Sequence, residues 1–483
     1  MLRGVFESSR IIDMDAVELS DAIRERRVSC REVMRAFLEQ IDRVNPKVNA
    51  IVSLQDREGL MLQAEERDRQ LAGGQWLGWM HGFPQAPKDL AATVGIPTTL
   101  GSPILKDNIP VQDAIIVERM KRSGAIVIGK TNTPEFGLGS NTYNDVFGIT
   151  RNAYDQSKTA GGSSGGAAVA LALRMLPVAD GSDMMGSLRN PAAYNNVFGF
   201  RPSFGRVPFG PTPDVFYQQL AYEGPMARTV RDLAMLLSVQ AGYDERVPLS
   251  IKEDPAMFTQ PLERDFKGVR VAWLGNLGGY LAMEPGIIEL CAKALKHLED
   301  IGCIVEEVSL DYPPEKLWQT WLTMRAFLVA GRLAAYYAEP RTRALMKPEA
   351  IWEAERGAMV STGDLFQASV NRSAWYAYLC ALFQKYEYLV LPSAQVFPFA
   401  VETHWPKEVA GKPMDTYHRW MEVVIPASLA GVPAISVPVG FNGEGLPMGM
   451  QVIGKPQADL AVLQLAYSYE QAAAREIRRK PAL

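Results

Sequence analysis

Thr159-Ala-Gly-Gly-Ser163-Ser164-Gly-Gly-Ala-Ala168, followed shortly by Asp180-Gly-Ser-Asp183-Met184-Met185-Gly186-Ser187-Leu-Arg189-Asn-Pro-Ala-Ala193, is the stretch on which the reading of this chain turns. Four glycines surround two serines and then run into an apolar helix, Ala167 to Leu173. Glycine at that density lets backbone approach backbone or ligand closely, and a flexible linker would not be followed by a packed Ala/Val helix. No Lys or Arg lies between Gly161 and Leu173, which weakens a phosphate cradle. In the second segment Ser187 follows Gly186 at a turn entering a helix, where several backbone N–H groups lack intrahelical partners. Such donors stabilise an oxyanion if the hydroxyl attacks a carbonyl. Taken alone, an N-cap serine is the commoner explanation.

Upstream, Gly82-Phe-Pro-Gln-Ala-Pro-Lys88-Asp89-Leu90 sets a lysine among prolines and apolar residues. A surface pair with Asp89 is the ordinary fate of such a side chain. A desolvated lysine instead loses its charge preference and can serve as a base. Gly124-Ala-Ile-Val-Ile-Gly129-Lys130-Thr131 satisfies the phosphate-loop pattern, but its variable positions are themselves a strand and Thr133-Pro134 follows in place of a helix. The loop chemistry requires the opposite arrangement, so the match is rejected.

Working outward, Leu19 to Val44 carries apolar residues at helical spacing and reads as a helical hairpin. Val269–Leu274, Pro285–Ile301 and Cys303–Val308 read as strand, helix and strand, a βαβ pattern that implies a sheet with helices on both faces. Leu317–Tyr337 and Leu365–Tyr386 read as aromatic-rich helices, with Trp318, Trp321, Phe327, Tyr336, Tyr337, Phe366, Trp375, Tyr376 and Tyr378. Core packing accounts for most of these, and a minority would line a pocket. Strands at Tyr388–Leu391 and Ala434–Val439 and a last helix at Ala458–Ala473 complete the pattern. The expected fold is α/β: one large mixed, mostly parallel-type twisted sheet covered by helices on both faces, in a single domain over 1–483 with a largely helical insertion or lid at 310–425.

The composition of the 483 residues, 47% hydrophobic and 22% charged with a net charge of −4, is that of an ordinary globular protein and offers no basic field for nucleic acid. Cys30, Cys291, Cys303 and Cys380 are far apart and form no CxxC pair, which argues against a disulfide framework or thiolate metal site and fits a reducing, cytoplasmic setting. The first 20 residues lack an apolar leader core, and no apolar run approaches the roughly 20 residues a bilayer requires. Neither membrane nor nucleic acid is an expected partner.

Together the Lys88, Ser163 and Ser187 segments resemble the amidase signature family of serine amidohydrolases. The resemblance extends through Asn45-Pro-Lys-Val-Asn49-Ala50, Gly129-Lys130-Thr-Asn132, Gly199-Phe-Arg-Pro-Ser-Phe-Gly-Arg206, Leu429-Ala-Gly-Val-Pro-Ala-Ile435 and Gly445-Leu-Pro-Met-Gly-Met-Gln451. It implies Ser187 as nucleophile, Ser163 as bridging serine after a cis Gly162–Ser163 bond, and Lys88 as terminal base. It further implies an oxyanion hole of the N–H groups of Met184, Met185, Gly186 and Ser187, with Gly162, Ser164, Asp183 and Arg189 as supports, and residues 82–210 as the core that carries them. No metal or cofactor is implied. The four histidines, His81, His297, His404 and His418, occupy no serine-hydrolase setting, consistent with a lysine base. The chain departs from the family at Met184-Met185, where Thr-Gly is usual. Met185 is therefore expected to need a dihedral that suits glycine and to intrude on the acyl pocket.

The resemblance implies hydrolysis of a small apolar or aromatic amide, anilide-like or a carbamate, with water as co-substrate; assembly as a homodimer is left open. Two other readings compete. One is the amidase subunit of a transfer-RNA amidotransferase, whose members usually place a carboxylate four residues before the late Ile-Pro; here that position is Met421, before Ile425-Pro426. The other is a catalytically silent binding protein on the same fold.

Overall fold

The computed structural model describes residues 8–483; residues 1–7, the start of the stretch read as lacking a leader, lie outside the described residues. Eight strands form the principal sheet: β1 (Ala179–Asp183), β2 (Phe198–Arg201), β3 (Tyr222–Ala227), β4 (Arg270–Trp273), β5 (Ile304–Glu307), β6 (Tyr388–Pro392), β7 (Ala434–Phe441) and β8 (Pro447–Gly454). Their order across the sheet is β5-β4-β6-β8-β7-β2-β3-β1. The mixed α/β architecture is the one anticipated. Its pairing balance is not: only β4–β5 and β4–β6 are parallel, and the other five pairs are antiparallel. The expectation of mostly parallel pairing extrapolated from the single βαβ unit. Elsewhere the chain returns directly, as in the β7–β8 hairpin, where Asn442 Oδ1 accepts the N–H groups of Glu444 and Leu446 and fixes a short turn. Antiparallel neighbours permit such short returns, whereas parallel ones require crossovers.

Helices cover this sheet. α1 (Ala16–Arg24) and α2 (Cys30–Val48) form the anticipated hairpin. A reciprocal capping box starts α2: Glu32 N–H donates to Ser29 Oγ, and Ser29 N–H donates to Glu32 Oε2. α3 (Gly165–Ala172) is buried along its whole length. Its Gly166 has no substitute, because a Cβ there would lie 2.4 Å from Asn132 N and 2.6 Å from Ala50 O. α4 (Arg189–Asn195) follows the Gly186-Ser187 turn, and α5 (Val230–Gln240) packs on β3. α6 (Ile287–Asp300) is the crossover of β4 and β5.

Between β5 and β6 come α7 (Pro314–Ala338), α8 (Pro348–Ala358) and α9 (Thr362–Leu382), with α7 packed on both of the others. Their aromatics divide by location: Trp318, Trp321 and Trp375 are core, Phe327 and Tyr336 line a cavity, and Phe366 is 73% exposed on α9. α10 (Asp459–Ala472) closes the fold. No helix among the described residues is long and apolar enough to cross a membrane. The phosphate-loop lookalike is two short strands, Ile126–Val127 and Lys130–Thr131, paired outside the principal sheet. Its lysine points inward and donates to Ala91 O and Thr93 Oγ1.

Candidate active site

β1 and the segment before α3 carry the site. The strand delivers Asp180, Ser182 and Asp183, and the Gly-rich segment delivers Ser163 and Ser164 against it. Lys88 reaches in between. Its backbone N–H donates to Asp180 Oδ2 at 3.1 Å, and its Nζ lies 2.7 Å from Ser163 Oγ, 2.8 Å from Ser164 Oγ and 3.1 Å from Ser182 Oγ. The peptide bond Gly162–Ser163 is cis. Lys88 is only 1% exposed. Burial pulls its pKa down from 10.5 to about 7, against the opposing influence of the Asp183, Asp180 and Glu223 carboxyls. The surface pair with Asp89 does not form: Asp89 is buried and accepts from Thr99 and Gly101 instead.

Ser187 lines the same cavity as Lys88 and Ser163, and its backbone carbonyl accepts the Ser164 N–H at 3.2 Å. Its hydroxyl has no hydrogen-bond partner among the described residues. The turn before it is held by Asp183, whose Oδ1 accepts the Gly186 N–H at 2.8 Å and whose Oδ2 accepts the Leu188 N–H at 3.2 Å. The Gly186 N–H is thus engaged with a carboxylate. Gly186, at φ +81°, takes the left-handed conformation, and Met185 is not among the left-handed residues. The dihedral expected at Met185 falls on its neighbour, where a glycine already stands. Met184 and Met185 both line the cavity.

Asp183 in turn binds Arg189 through two hydrogen bonds, 3.0 Å and 3.1 Å long, and Arg201 through its carboxylate at 3.3 Å, all three side chains fully buried. Burial alone would raise the Asp183 pKa, but the two guanidinium groups hold it below the ordinary carboxylate value. Arg189 also donates to Gln451 Oε1, Val424 O and Ser428 Oγ, fastening the turn to β8 and the late Ile-Pro segment.

Ser182 and Glu223 escaped the sequence reading. Ser182 lies two residues after Asp180 on β1, hence on the same face, and could have been found from the period of two. Glu223 sits opposite it in the β1–β3 register and lines the cavity, with Oε2 buried and unpartnered. Burial and the neighbouring Asp180 push its carboxyl well above the usual range. No local pattern marks it. The cavity measures about 610 Å³ and is predominantly apolar; Phe136, Leu138, Met421 and the α7 residues Leu328, Leu333 and Tyr336 build much of its wall.

The family description "Amidase" matches residues 32–463. The chain belongs to the amidase signature family. This amidase is 34% identical to an acylamidase of Rhodococcus erythropolis over 95% of each chain. It is 32% identical to a glutamyl-tRNA(Gln) amidotransferase subunit of Alkaliphilus metalliredigens (strain QYMF), over 96% of this chain and 97% of that one. A solved bacterial aryl acylamidase of the same family superposes with a TM-score of 0.90 at 30% identity, covering 97% of this chain and 98% of the other. The protein is an amide-hydrolysing enzyme that acts on C–N bonds.

Proposed function

We propose that this amidase hydrolyses a small apolar or aromatic amide through an acyl-enzyme on Ser187. The observation that carries this reading is the buried Lys88 nitrogen 2.7 Å from Ser163 Oγ, in a largely apolar cavity that Ser187 also lines. Neutral Lys88 takes a proton from Ser163 as Ser163 takes one from Ser187, and the Ser187 oxygen attacks the amide carbonyl. Of the four N–H groups expected at the oxyanion, Asp183 occupies that of Gly186, and those of Met184, Met185 and Ser187 receive the charge. The relay then returns the proton to the leaving amine, and water releases the acyl group by the same route. The helical segment 310–425, whose α7 forms one wall of the cavity, acts as the cover of a single-domain enzyme.

The acylamidase and aryl acylamidase relatives support an aromatic amide over glutamine. The amidotransferase reading is weakened because Met421, an apolar side chain, lines the cavity where that reading wants a carboxylate. A serine-directed fluorophosphonate should add its mass once to the protein and leave Ser187→Ala unlabelled. Labelling that persists in Ser187→Ala would remove the nucleophile from this assignment. Release of aniline from an anilide, measured beside release of ammonia from glutamine, separates the two substrate readings.

A further inference from the structure

The charged groups that line the cavity are Lys88, Asp180, Glu223, Asp214, Arg325 and Arg332, and all but one are accounted for. Lys88 is held close to neutrality. Asp180 accepts from Lys88 N and Gln85 Nε2, and Glu223 is driven towards its neutral form. Asp214 accepts the N–H groups of Phe216 and Tyr217 with Oδ1. Arg325 is neutralised by Glu353, 2.7 Å away, and donates to Tyr417 Oη at 2.6 Å, while its Nη1 touches Met184 Sδ at 3.6 Å beside the catalytic turn. Arg332 alone lines the cavity with a guanidinium that forms neither a hydrogen bond nor an ion pair among the described residues.

Arg325 and Arg332 share one face of α7, seven residues apart. At 1.5 Å rise per residue their backbones lie roughly 10 Å apart along the axis, with Leu328 and Val329 between them. The helix therefore offers a substrate an apolar stretch, starting at the catalytic turn and ending at an unspent cation. Arg332 is solvent-exposed at this largely apolar surface, and a guanidinium so presented is matched by a carboxylate, which it can bind through two parallel hydrogen bonds.

We propose that Arg332 is a specificity-determining residue that receives a carboxylate carried by the substrate, separated from the scissile carbonyl by an apolar body. This rests on the hydrolysis of small apolar amides proposed above and narrows its substrate class to anionic amides. Two probe pairs test it, one with the charge on the acyl side and one with it on the amine side: the mono-p-nitroanilide of octanedioic acid against the p-nitroanilide of octanoic acid, and 4-acetamidocinnamate against 4-acetamidocinnamyl alcohol. One pair should show at least tenfold higher kcat/KM for the charged member, mostly through KM. Arg332→Gln should abolish that preference while leaving the neutral member unchanged, and Arg332→Lys should restore part of it. Equal kcat/KM for charged and neutral members in both pairs would overturn the assignment.

Binding of the same probes to Ser187→Ala protein separates this proposal from the one beneath it. Tenfold tighter binding of a charged probe to Ser187→Ala that disappears when Arg332→Gln is added, while the native enzyme turns over neither pair, upholds the carboxylate site and sinks the hydrolysis reading. Indifference of binding to charge sinks the carboxylate site whether or not turnover occurs.

Discussion

The nitrogen of Lys88 and the hydroxyl of Ser163, 75 residues apart in the chain, lie 2.7 Å from each other with Lys88 sealed from solvent. The expected consequence is an acid limb in activity. Burial sets the lysine to lose its proton near pH 7 instead of 10.5, so below about 7 the base is progressively protonated. Acylation kcat/KM should fall about tenfold per pH unit on the acid side, with its midpoint near 7. Pre-steady-state acylation across pH 5 to 9 measures this directly, and a pH-independent rate across that range would exclude Lys88 as the base.

The same shift has a signature in stability. Because the folded chain releases the Lys88 proton near 7 and the unfolded chain near 10.5, the unfolded state binds more protons between those values, and this residue makes stability rise with pH there. Below about 7 both states hold the proton and the contribution is flat. Urea unfolding at pH 7 and pH 9.5 should show a smaller gain with pH for Lys88→Met than for the native chain. The variant should still fold, with activity reduced by about 10²–10⁴ for loss of a general base.

Asp183 joins two buried arginines, and neutralising it should be costly. In Asp183→Asn, Arg189 and Arg201 keep their charges at full burial with no carboxylate, a situation worth about 3–5 kcal/mol of destabilisation. Chemical denaturation would record the loss. Activity should fall along with stability, because Asp183 holds the N–H groups of the turn before Ser187 and its charge opposes the lowering of the Lys88 pKa.

Met185 lines the cavity beside Ser187, the proposed nucleophile. Its backbone conformation is one that any residue adopts, so Met185→Ala should fold normally and enlarge the cavity. Anilides with bulkier acyl groups should gain relative to acetanilide by about tenfold or more, the scale at which a methylene's fit discriminates. Steady-state comparison of an acetyl and a branched acyl anilide provides the ratio, and an unchanged ratio would place the acyl group elsewhere.

Much of the site was legible in the chain because its residues sit in short segments whose composition is locally constrained. Gly161 to Gly166 must be small where Gly166 meets the backbone of Asn132 and Ala50, and Gly186 must accept a positive φ before Ser187. Lys88 among prolines was visible as a candidate, although only packing could show that Asp89 turns away from it to Thr99. The helices of 314–382 were visible from their periodicity. Which of their aromatics would be core and which cavity wall depended on how α7, α8 and α9 pack together, which no local pattern records.

By itself, then, the sequence determined the segments that meet at the candidate site, the α/β alternation and the membership of the amidase signature family, because each depends on residues close in the chain or on side-chain size at fixed positions. Tertiary structure decided the antiparallel majority of the sheet, the desolvation of Lys88, the engagement of the Gly186 N–H by Asp183 and the placing of Glu223 and Arg332 around one cavity. Those are properties of groups brought together from distant segments. Strand pairing, dielectric surroundings and hydrogen-bond competition come into being only when the chain has closed around them.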